Sequence, residues 1–362
     1  MTGALELDGL ATAYDGFAFG PLDLRVNEEV LTVLGPSGSG KTTLLSLVAG
    51  LVVPDRGSVT LGERSLVGRP LEGRRVGLVF QDGALFPHMT ARENVAYAAE
   101  ADERVADLAA TLEIEGVLDR RPAALSGGER RRVALARTLA ADPDALLLDE
   151  PLTSLDEPVR RRLRTELADL FADLGVPVVH VTHDQRVATA LGDRVAVLRD
   201  GAIAQVGTPA DVLRRPATPF VAEFTGSDNV FEATVVASDG EHDGNGGREV
   251  ETDGDGARLR VGDLTLDVTA TAPVGTAVTA CLRPSRLRVA APAAADGGAN
   301  AVAGTVTRWA NEGDEYRLVV AVNGADLEFV ASVRPDRVES LSLSTGADVS
   351  LAVPPDHVHL IT

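Results

Sequence analysis

The sequence predicts an α/β domain over residues 1–228 and an all-β domain over residues 229–362. In the first part, apolar runs of strand length alternate with stretches of helical periodicity, one of which covers residues 91–118. After residue 228 the helical periodicity disappears. Short strand-like runs, among them 259–268 and 278–289, then recur between turns rich in Gly, Pro and Asp, as expected for one or two small β-barrels.

The most specific feature is a glycine-rich loop between the apolar run at 30–34 and a helical pattern at 44–49. It fits G-x-x-x-x-G-K-[ST] at every fixed position. Its residues are Gly35, Pro36, Ser37, Gly38, Ser39, Gly40, Lys41 and Thr42, followed by Thr43. Glycines let backbone N–H groups approach phosphate oxygens, and a helix N-terminus adds its free donors. Lys41 is expected to reach the β- and γ-phosphates of a nucleotide, and the Thr42 hydroxyl to bind Mg²⁺.

Lysine usage supports this interpretation. Lys41 is the only lysine in the chain, although Lys and Arg together number 34. A glycine-rich turn with a chance lysine is the alternative, and a composition that otherwise excludes lysine disfavours it. The sequence therefore predicts a phosphate-binding loop.

The composition limits the class of protein. The formal net charge of −20 argues against nucleic-acid binding through a basic face, because phosphate contacts need clustered positive charge. Scarce lysine with abundant Asp and Glu resembles haloarchaeal proteins, whose charge is screened by a salty cytoplasm. The single cysteine, Cys281, excludes an intrachain disulfide. With no signal-peptide pattern and no apolar run of about 20 residues, we expect a cytoplasmic chain that reaches a membrane through partners.

Three further stretches carry polar residues where strands or loops end. Gln81 follows a strand-like run at 76–80, and the apolar, aromatic loop 82–90 is expected to be buried or to dock a partner. The apolar strand 145–148 ends in Asp149, suited to Mg²⁺, and Glu150, suited to a general base. His183 follows a third buried strand, on the side where α/β sheets bind ligands.

Two other features are more ambiguous. Ser126 is a plausible N-cap before two glycines, which makes a second potential anion site. The arginines of the helix that follows suit a solvated face better than nucleic acid on so acidic a chain. Tyr14 precedes the phosphate loop and could stack on a base, although an ordinary core or edge aromatic is the default.

Together these residues resemble the ATP-binding-cassette (ABC) ATPases over about residues 4–226. The matching motifs, in family order, are the phosphate loop, Gln81, the stretch 125–129, the strand 146–150, the stretch 154–156 and His183. Tyr14 falls where the family places an adenine-stacking aromatic. Glu129 departs from the family pattern, because Gln is usual there. The resemblance implies a P-loop α/β fold with a mixed sheet core and a helical subdomain at about 82–140.

The resemblance also implies a mechanism in which two cassettes, copies of this chain or of a homologous one, pair head to tail around ATP and Mg²⁺. One copy binds ATP through Tyr14 and the phosphate loop. The other copy closes on the γ-phosphate through a set of residues in two stretches, namely Ser126, Gly127, Gly128, Glu129 and Asp156. Glu150 and His183 position the water. Gln81 senses nucleotide and joins Thr42 and Asp149 at Mg²⁺.

The C-terminal part resembles a transport-associated OB-fold (TOBE) tail. The resemblance rests on residues 226–232 and on Arg283-Pro284-Ser285, where Ser replaces the usual Glu. That tail accompanies importer ATPases, which implies a permease contacted near Phe86–Met89 and an extracytoplasmic binding protein reached indirectly. No nucleic-acid partner is expected.

One alternative remains open, a non-transport ABC ATPase acting on nucleic acid or ribosomes. Such proteins usually carry two cassettes or a coiled coil, and neither pattern is present. A GTPase would need Asn-Lys-x-Asp, which the single lysine excludes. The cargo is not indicated, with a molybdate-like oxyanion, thiamine and iron as the options.

Overall fold

The computed structural model describes residues 3–14, 16–80, 83–99, 101–152, 157–238, 256–292 and 300–362. The chain folds as two compact units, an N-terminal unit, Met1–Val212, and a C-terminal unit, Leu213–Thr362. No helix among the described residues is long and apolar enough to cross a membrane.

The strands of the N-terminal unit are β1 Leu5–Tyr14, β2 Phe17–Val26, β3 Val30–Leu34, β4 Arg56–Leu61, β5 Arg64–Ser65, β6 Val76–Val79, β7 Ala145–Asp149, β8 Val178–Thr182, β9 Arg194–Arg199 and β10 Ala202–Gly207. Its helices are α1 Lys41–Ala49, α2 Ala91–Ala96, α3 Asp102–Thr111, α4 Gly127–Ala140, α5 Glu157–Leu174 and α6 Gln185–Leu191, with α7 Pro209–Arg214 at the division between the units.

Two sheets organise the N-terminal unit. An antiparallel sheet has the order β2-β1-β4-β5, and a six-stranded sheet has the order β10-β9-β3-β8-β7-β6. The six-stranded sheet is mixed, because β3, β6, β7, β8 and β9 run parallel while β10 pairs antiparallel to β9. β3 and β8 are buried at every residue, as expected for parallel strands covered on both faces. The mixed α/β sheet core is confirmed.

Alternating side chains give the six-stranded sheet two apolar faces. Leu31 and Leu147 face α1 and the antiparallel sheet, where they join the core with Leu44 and Leu47. Their neighbours Val30, Leu146 and Leu148 point to the other face and pack with α4, α5 and α6. The two cores therefore hold α1 and α6 on opposite faces of the sheet.

The region 91–118, predicted to be helical throughout, contains two separate helices. α2 begins with a capping box between Thr90 and Glu93, and α3 does not start until Asp102. After α3 the backbone of Glu113 turns left-handed, with a φ of 50°, which stops the helix.

The C-terminal unit contains the strands β11 Asn229–Ser238, β12 Ala257–Val261, β13 Leu264–Val268, β14 Ala277–Leu282, β15 Arg288–Ala290, β16 Ala301–Asn311, β17 Tyr316–Val322, β18 Glu328–Val333, β19 Asp348–Ala352 and β20 His359–Ile361. Its helices are α8 Pro219–Phe224 and α9 Pro335–Ser340. The strands form two five-stranded antiparallel sheets, ordered β13-β12-β11-β14-β20 and β15-β19-β16-β17-β18. One apolar core, which includes Leu259, Leu318 and Phe329, joins both sheets.

Two runs expected to be single strands are divided by turns. The run 259–268 is the hairpin of β12 and β13, because Gly262 adopts a φ of 57° between them. The run 278–289 is broken by a 3₁₀ turn that begins at Pro284, so β14 and β15 lie in different sheets.

The division between the units precedes the boundary expected at residue 228. The segment 213–228 belongs with the C-terminal unit because Arg283 Nε donates to Leu213 O at 3.0 Å and its Nη2 donates to Thr225 O. His359 Nε2 adds a bond to Pro216 O at 3.0 Å. α8 also packs against β11 and β14. The long-range polar bonds of Arg283 and His359 were not foreseeable from the local change in composition.

Candidate active site

The predicted phosphate loop lies between β3 and α1, as the sequence pattern requires. Gly38 and Gly40 have φ angles of 80° and 103°, which side chains with a Cβ adopt at a cost. At Gly40 a Cβ would also lie 2.8 Å from Cδ2 of Phe19. The tight loop therefore depends on glycine for both its backbone conformation and its packing.

Lys41 is held by the loop itself. Its Nζ donates to Gly35 O at 2.7 Å and to Pro36 O at 2.9 Å. Burial lowers the pKa of the Lys41 ammonium, and the negative charges of Glu150 and Asp149 oppose that shift. The ammonium is thus already positioned within the loop. Its site is partly desolvated, which favours the binding of a further anionic group beside it.

A contact from a distant turn supports the loop. Gly201 N donates to Ser39 O at 2.9 Å, and Gly201 O accepts from Gly20 N at 2.9 Å. A Cβ on Gly201 would lie 2.2 Å from Ala18 O, so only glycine fits there. Sequence reasoning did not identify Gly201, because its partners are far away in the chain.

Thr42 and Asp149 meet beside the loop. Thr42 Oγ1 donates to Asp149 Oδ2 at 3.4 Å, a long bond. Burial raises the pKa of Asp149, and the charge of Glu150 adds to that rise, while Thr42 and Lys41 oppose it. A cation at Asp149 would relieve this repulsion between carboxylates.

The donor set fits Mg²⁺. Hydroxyl and carboxylate oxygens are its preferred ligands, and Mg²⁺ usually takes one or two carboxylates plus phosphate oxygens and water. The residues that the structure describes contain no group of three or more His, Cys, Asp or Glu side chains placed to hold a metal alone. Thr42 and Asp149 would therefore hold Mg²⁺ jointly with a nucleotide.

Glu150 and His183 form a pair at the ends of neighbouring parallel strands. Asp149 lies opposite Val181 in the register of β7 and β8, so the residues that follow each strand come together. His183 Nδ1 donates to Glu150 Oε1 at 2.6 Å. A carboxylate can only accept, so Nδ1 carries the proton in this bond. Glu150 has a φ of 46°, a strained conformation for a residue with a side chain.

At the second potential anion site, the start of α4, side chains of the helix itself already bond two of the N–H groups. Ser126 Oγ accepts from Glu129 N at 3.2 Å, and Glu129 Oε2 accepts from Ser126 N at 2.6 Å. These bonds from Ser126 lower the pKa of Glu129. In the described part of the chain, no hydrogen bond or ion pair joins this helix end to the phosphate loop.

The aromatic loop 86–89 is shaped by two side chains that the sequence analysis did not single out. Asn94 is buried, accepts from Phe86 N at 2.9 Å, and donates to Thr90 O at 2.9 Å. The guanidinium of Arg137 lies 5.1 Å from the centre of the Phe86 ring, and the Phe86 ring lies 4.9 Å from that of Tyr97. An Asn a few residues after a helix N-cap was a weak signal, since its partners are revealed only by the fold.

The remaining predicted residues are placed as follows. Tyr14 is 46% exposed at the end of β1, paired across the hairpin with Phe17, whose ring approaches the loop at Gly40. Gln81 and Asp156 lie outside the described residues. The structure therefore brings together the phosphate loop, Asp149, Glu150 and His183.

A phosphate loop after a parallel strand, with an acidic pair and a histidine at the ends of adjacent strands, defines a P-loop nucleotide hydrolase. Comparisons with known proteins narrow this class. Residues 21–153 match the family model described as ABC transporter, and residues 280–361 match that of the TOBE domain.

The similar proteins of known name also carry the ATP-binding function of transporters. The chain is 51% identical over 242 residues to the Fe(3+) ions import ATP-binding protein FbpC of Streptomyces coelicolor, covering 64% of this chain and 70% of that one. It is 42% identical over 310 residues to the spermidine/putrescine import ATP-binding protein PotA of Methylococcus capsulatus, covering 83% and 77%. The PotA of Rubrobacter xylanophilus is 38% identical over 366 residues, covering 96% and 91%.

A solved structure of another ATP-binding cassette is also similar to this chain. The dimeric, post-hydrolysis structure of an ATP-binding cassette with ADP and phosphate matches 57% of this chain and 98% of that one, with a TM-score of 0.52 and 29% identity. The chain belongs to the ABC transporter family. It is an ATP-hydrolysing subunit of the importer type, with a TOBE domain. The importer interpretation is confirmed over the non-transport alternative.

Proposed function

We propose that Glu150 is the general base of ATP hydrolysis and that His183 orients it. The observation that carries this is the 2.6 Å bond between His183 Nδ1 and Glu150 Oε1, at the sheet edge that also presents Lys41 and Asp149. A carboxylate offers about four lone-pair sites, so the His183 bond leaves Glu150 able to accept a proton from water.

The reaction then proceeds as follows. The attacking water gives its proton to the Glu150 carboxylate as its oxygen bonds to the γ-phosphorus. The bond from that phosphorus to the β,γ-bridging oxygen breaks, which releases ADP and inorganic phosphate. Lys41 and the loop N–H groups stabilise the charge on the phosphates. Thr42 and Asp149 would hold Mg²⁺, which would supply further positive charge beside the phosphates.

We infer that the complete site needs two chains. Dimeric cassettes are among the solved structures that this chain resembles. The N-terminus of α4, with Ser126 and Gly128, would approach the γ-phosphate bound by the other copy. Asp156 is assigned to the same contact, and Gln81 to nucleotide and Mg²⁺ sensing, by family resemblance alone.

The loop Phe86–Met89 is the proposed contact with the permease. Phe80 and Tyr97, near this loop in sequence, are 41% and 66% exposed, and the ring of Phe86 contacts those of His88 and Tyr97. Exposed aromatic groups of this kind mark interaction surfaces. The chain would then lie on the cytoplasmic face of the membrane, and an extracytoplasmic binding protein would act through the permease.

The cargo is proposed to be a cation. The relatives are named for the import of Fe(3+) and of spermidine or putrescine, all of which carry positive charge. Uptake by the assembled transporter, measured with labelled Fe(3+), spermidine and molybdate, would decide this. Transport of molybdate but of neither cation would contradict it.

The test of the base is Glu150→Gln, with Glu63→Gln, an exposed carboxylate in the turn after β4, as the matched control. We expect the Glu150 variant to bind ATP and to lose about 10²–10⁴-fold in the rate of phosphate release, the usual cost of removing a general base. The control should keep the parental rate. Near-parental release from the Glu150 variant would place the base elsewhere, with His183 as the first alternative.

A further inference from the structure

A second histidine, His180, lies beneath the proposed catalytic pair and has no role in the mechanism above. It is the central residue of β8, opposite Thr32 of β3 and Leu148 of β7. Residues directly opposite in register share a face of the sheet, so Thr32 and His180 are neighbours on one face. Both are fully buried, with a relative exposure of 0%.

His180 is unusual because both ring nitrogens are buried and, among the described residues, neither has a hydrogen-bond partner. Buried polar side-chain atoms are rarely left unpaired, since an unpaired group forfeits its hydration without compensation. Burial lowers the pKa of His180 to about 4, so the ring is neutral near pH 7. A neutral imidazole offers one donor and one acceptor, which together suit a water molecule.

The space for that water adjoins the catalytic pair. A cavity of about 70 Å³ is lined by His180 together with Thr182, Glu150, His183 and Leu152. A cavity holds water when it exceeds roughly 10–15 Å³ and offers two to four polar partners. This cavity meets both conditions, because its walls include a hydroxyl, a carboxylate and two imidazoles.

We propose that this partly open cavity is a water site, in which His180 holds water that also hydrogen-bonds to Glu150 and keeps the Glu150 and His183 pair in position. His180 is then a positioning residue, which acts on the reaction through water. The inference rests on the proposed function, because it takes Glu150 as the base. The strained φ of 46° at Glu150 is a reason for such support, since a strained backbone persists only where its surroundings restrain it.

The first test is direct. A high-resolution crystal structure of the full chain should show ordered water within hydrogen-bonding distance of a His180 ring nitrogen, and the same structure of His180→Phe should lack it. Phenylalanine keeps the ring and removes both nitrogens. A parent structure in which the His180 nitrogens bond protein groups, with no water in the cavity, would overturn the proposal.

The second test is kinetic. We expect His180→Phe to lower kcat about tenfold with the KM for ATP within about twofold, since misplaced catalytic groups affect the reacting state rather than ground-state binding. His180→Gln retains a donor and an acceptor and should recover most of kcat. Parental kcat in His180→Phe, or equal losses in the Phe and Gln variants, would contradict a water-mediated role.

Val178→Ala is the control for a purely structural effect. Val178 lies on the same strand and the same face, is equally buried, and is not part of the cavity wall. It should lower the melting temperature and leave kcat close to the parental value. If kcat falls in Val178→Ala as it does in His180→Phe, general destabilisation explains both. If His180→Phe keeps the parental kcat while Glu150→Gln is inactive, the water site is rejected and Glu150 remains the assigned base.

Discussion

The N-termini of α1 and α4 both follow or contain glycines, but they are capped differently. The N-cap residue of α1, Gly40, is left-handed and provides no side-chain cap, and the first turn of α1 contains no acidic residue. The N-cap residue of α4, Ser126, forms a reciprocal capping box with Glu129 in the first turn. Both ends are expected to contact phosphate, yet at α4 two of the N–H groups, those of Ser126 and Glu129, are already bonded to side chains.

The difference indicates which end can bind an anion in a single chain. At α1 the free N–H groups and the positive end of the helix dipole are available to phosphate, with Lys41 beside them. At α4 the Ser126 and Glu129 N–H groups are already bonded, and a carboxylate lies in the first turn. We therefore expect α1 to bind the nucleotide, and α4 to join only when a second copy presents it.

The largest expected effect on this comparison comes from Lys41→Arg. The loop surrounds a compact ammonium, which bonds two carbonyl oxygens, Gly35 O and Pro36 O. A guanidinium is planar, wider and fixed in its donor directions. Displacing the γ-phosphate from its in-line geometry should cost about 10²-fold in turnover, almost as much as Lys41→Ala. ATPase rates of the purified variants measure it, and a rate within a few-fold of the parent would show that charge alone suffices at α1.

A smaller effect is expected at α4 from Glu129→Gln. Glutamine can still complete the capping box, so only the negative charge is lost. At neutral pH the parent should be more stable by about 0.3–1 kcal/mol, the usual strength of a charge at a helix end, and less in salt. Dimerisation driven by ATP should need about two- to fivefold less nucleotide in the variant, since the same energy no longer opposes the γ-phosphate.

The stability difference between the parent and Glu129→Gln should depend on pH in a defined direction. The folded pKa of Glu129 lies below its ordinary value of 4.5, so its stabilising effect is fully present above that pH. The effect is lost as the pH falls through the folded pKa. Melting curves of parent and variant should therefore converge in acid. A difference that persists unchanged below the folded pKa would mean that the carboxylate charge is not what stabilises α4.

Salt is expected to have the smallest effect on the comparison of the two helix ends, because it should change the stability of the whole chain. A net charge of −20 repels itself, and molar salt shortens the Debye length to about 3 Å. The melting midpoint should rise from low to molar KCl, as expected of a protein adapted to high salt. Both helix ends should benefit, because the repulsion is spread over the chain. A midpoint that stays flat or falls would reject the halophilic interpretation and leave the comparison standing.

Much of the site was predictable because its residues follow local signals. Lys41 lies at a fixed distance from glycines, and Asp149 and Glu150 follow an apolar strand. The parallel order of β3, β8 and β7 then brings these strand ends to one edge. The α/β fold and the ABC family could therefore be predicted from motifs whose spacing is set by secondary structure, and the structure and the comparisons confirm both.

The rest depends on tertiary partners that no local pattern encodes. His180 lies within an apolar run, and alternation alone does not reveal that its nitrogens are unpaired. The supporting roles of Asn94 and Gly201 depend on loops elsewhere in the fold. The turn that divides the strand expected at 259–268 did have a local signal, the Gly262-Asp263 pair. The prediction of one strand gave more weight to the strand propensity on both sides of that pair.

The state of Lys41 gives the protein an intrinsic chemical reporter. It is the only side-chain amine in the sequence, and two backbone carbonyls already hold its nitrogen. Acylating reagents that react with lysine would therefore modify one side chain, the one expected to contact the phosphates. Because burial lowers the pKa of Lys41, a larger fraction of its amine is unprotonated and able to react near neutral pH. Covalent labelling of unaltered protein can thus follow occupancy of the loop without an introduced probe.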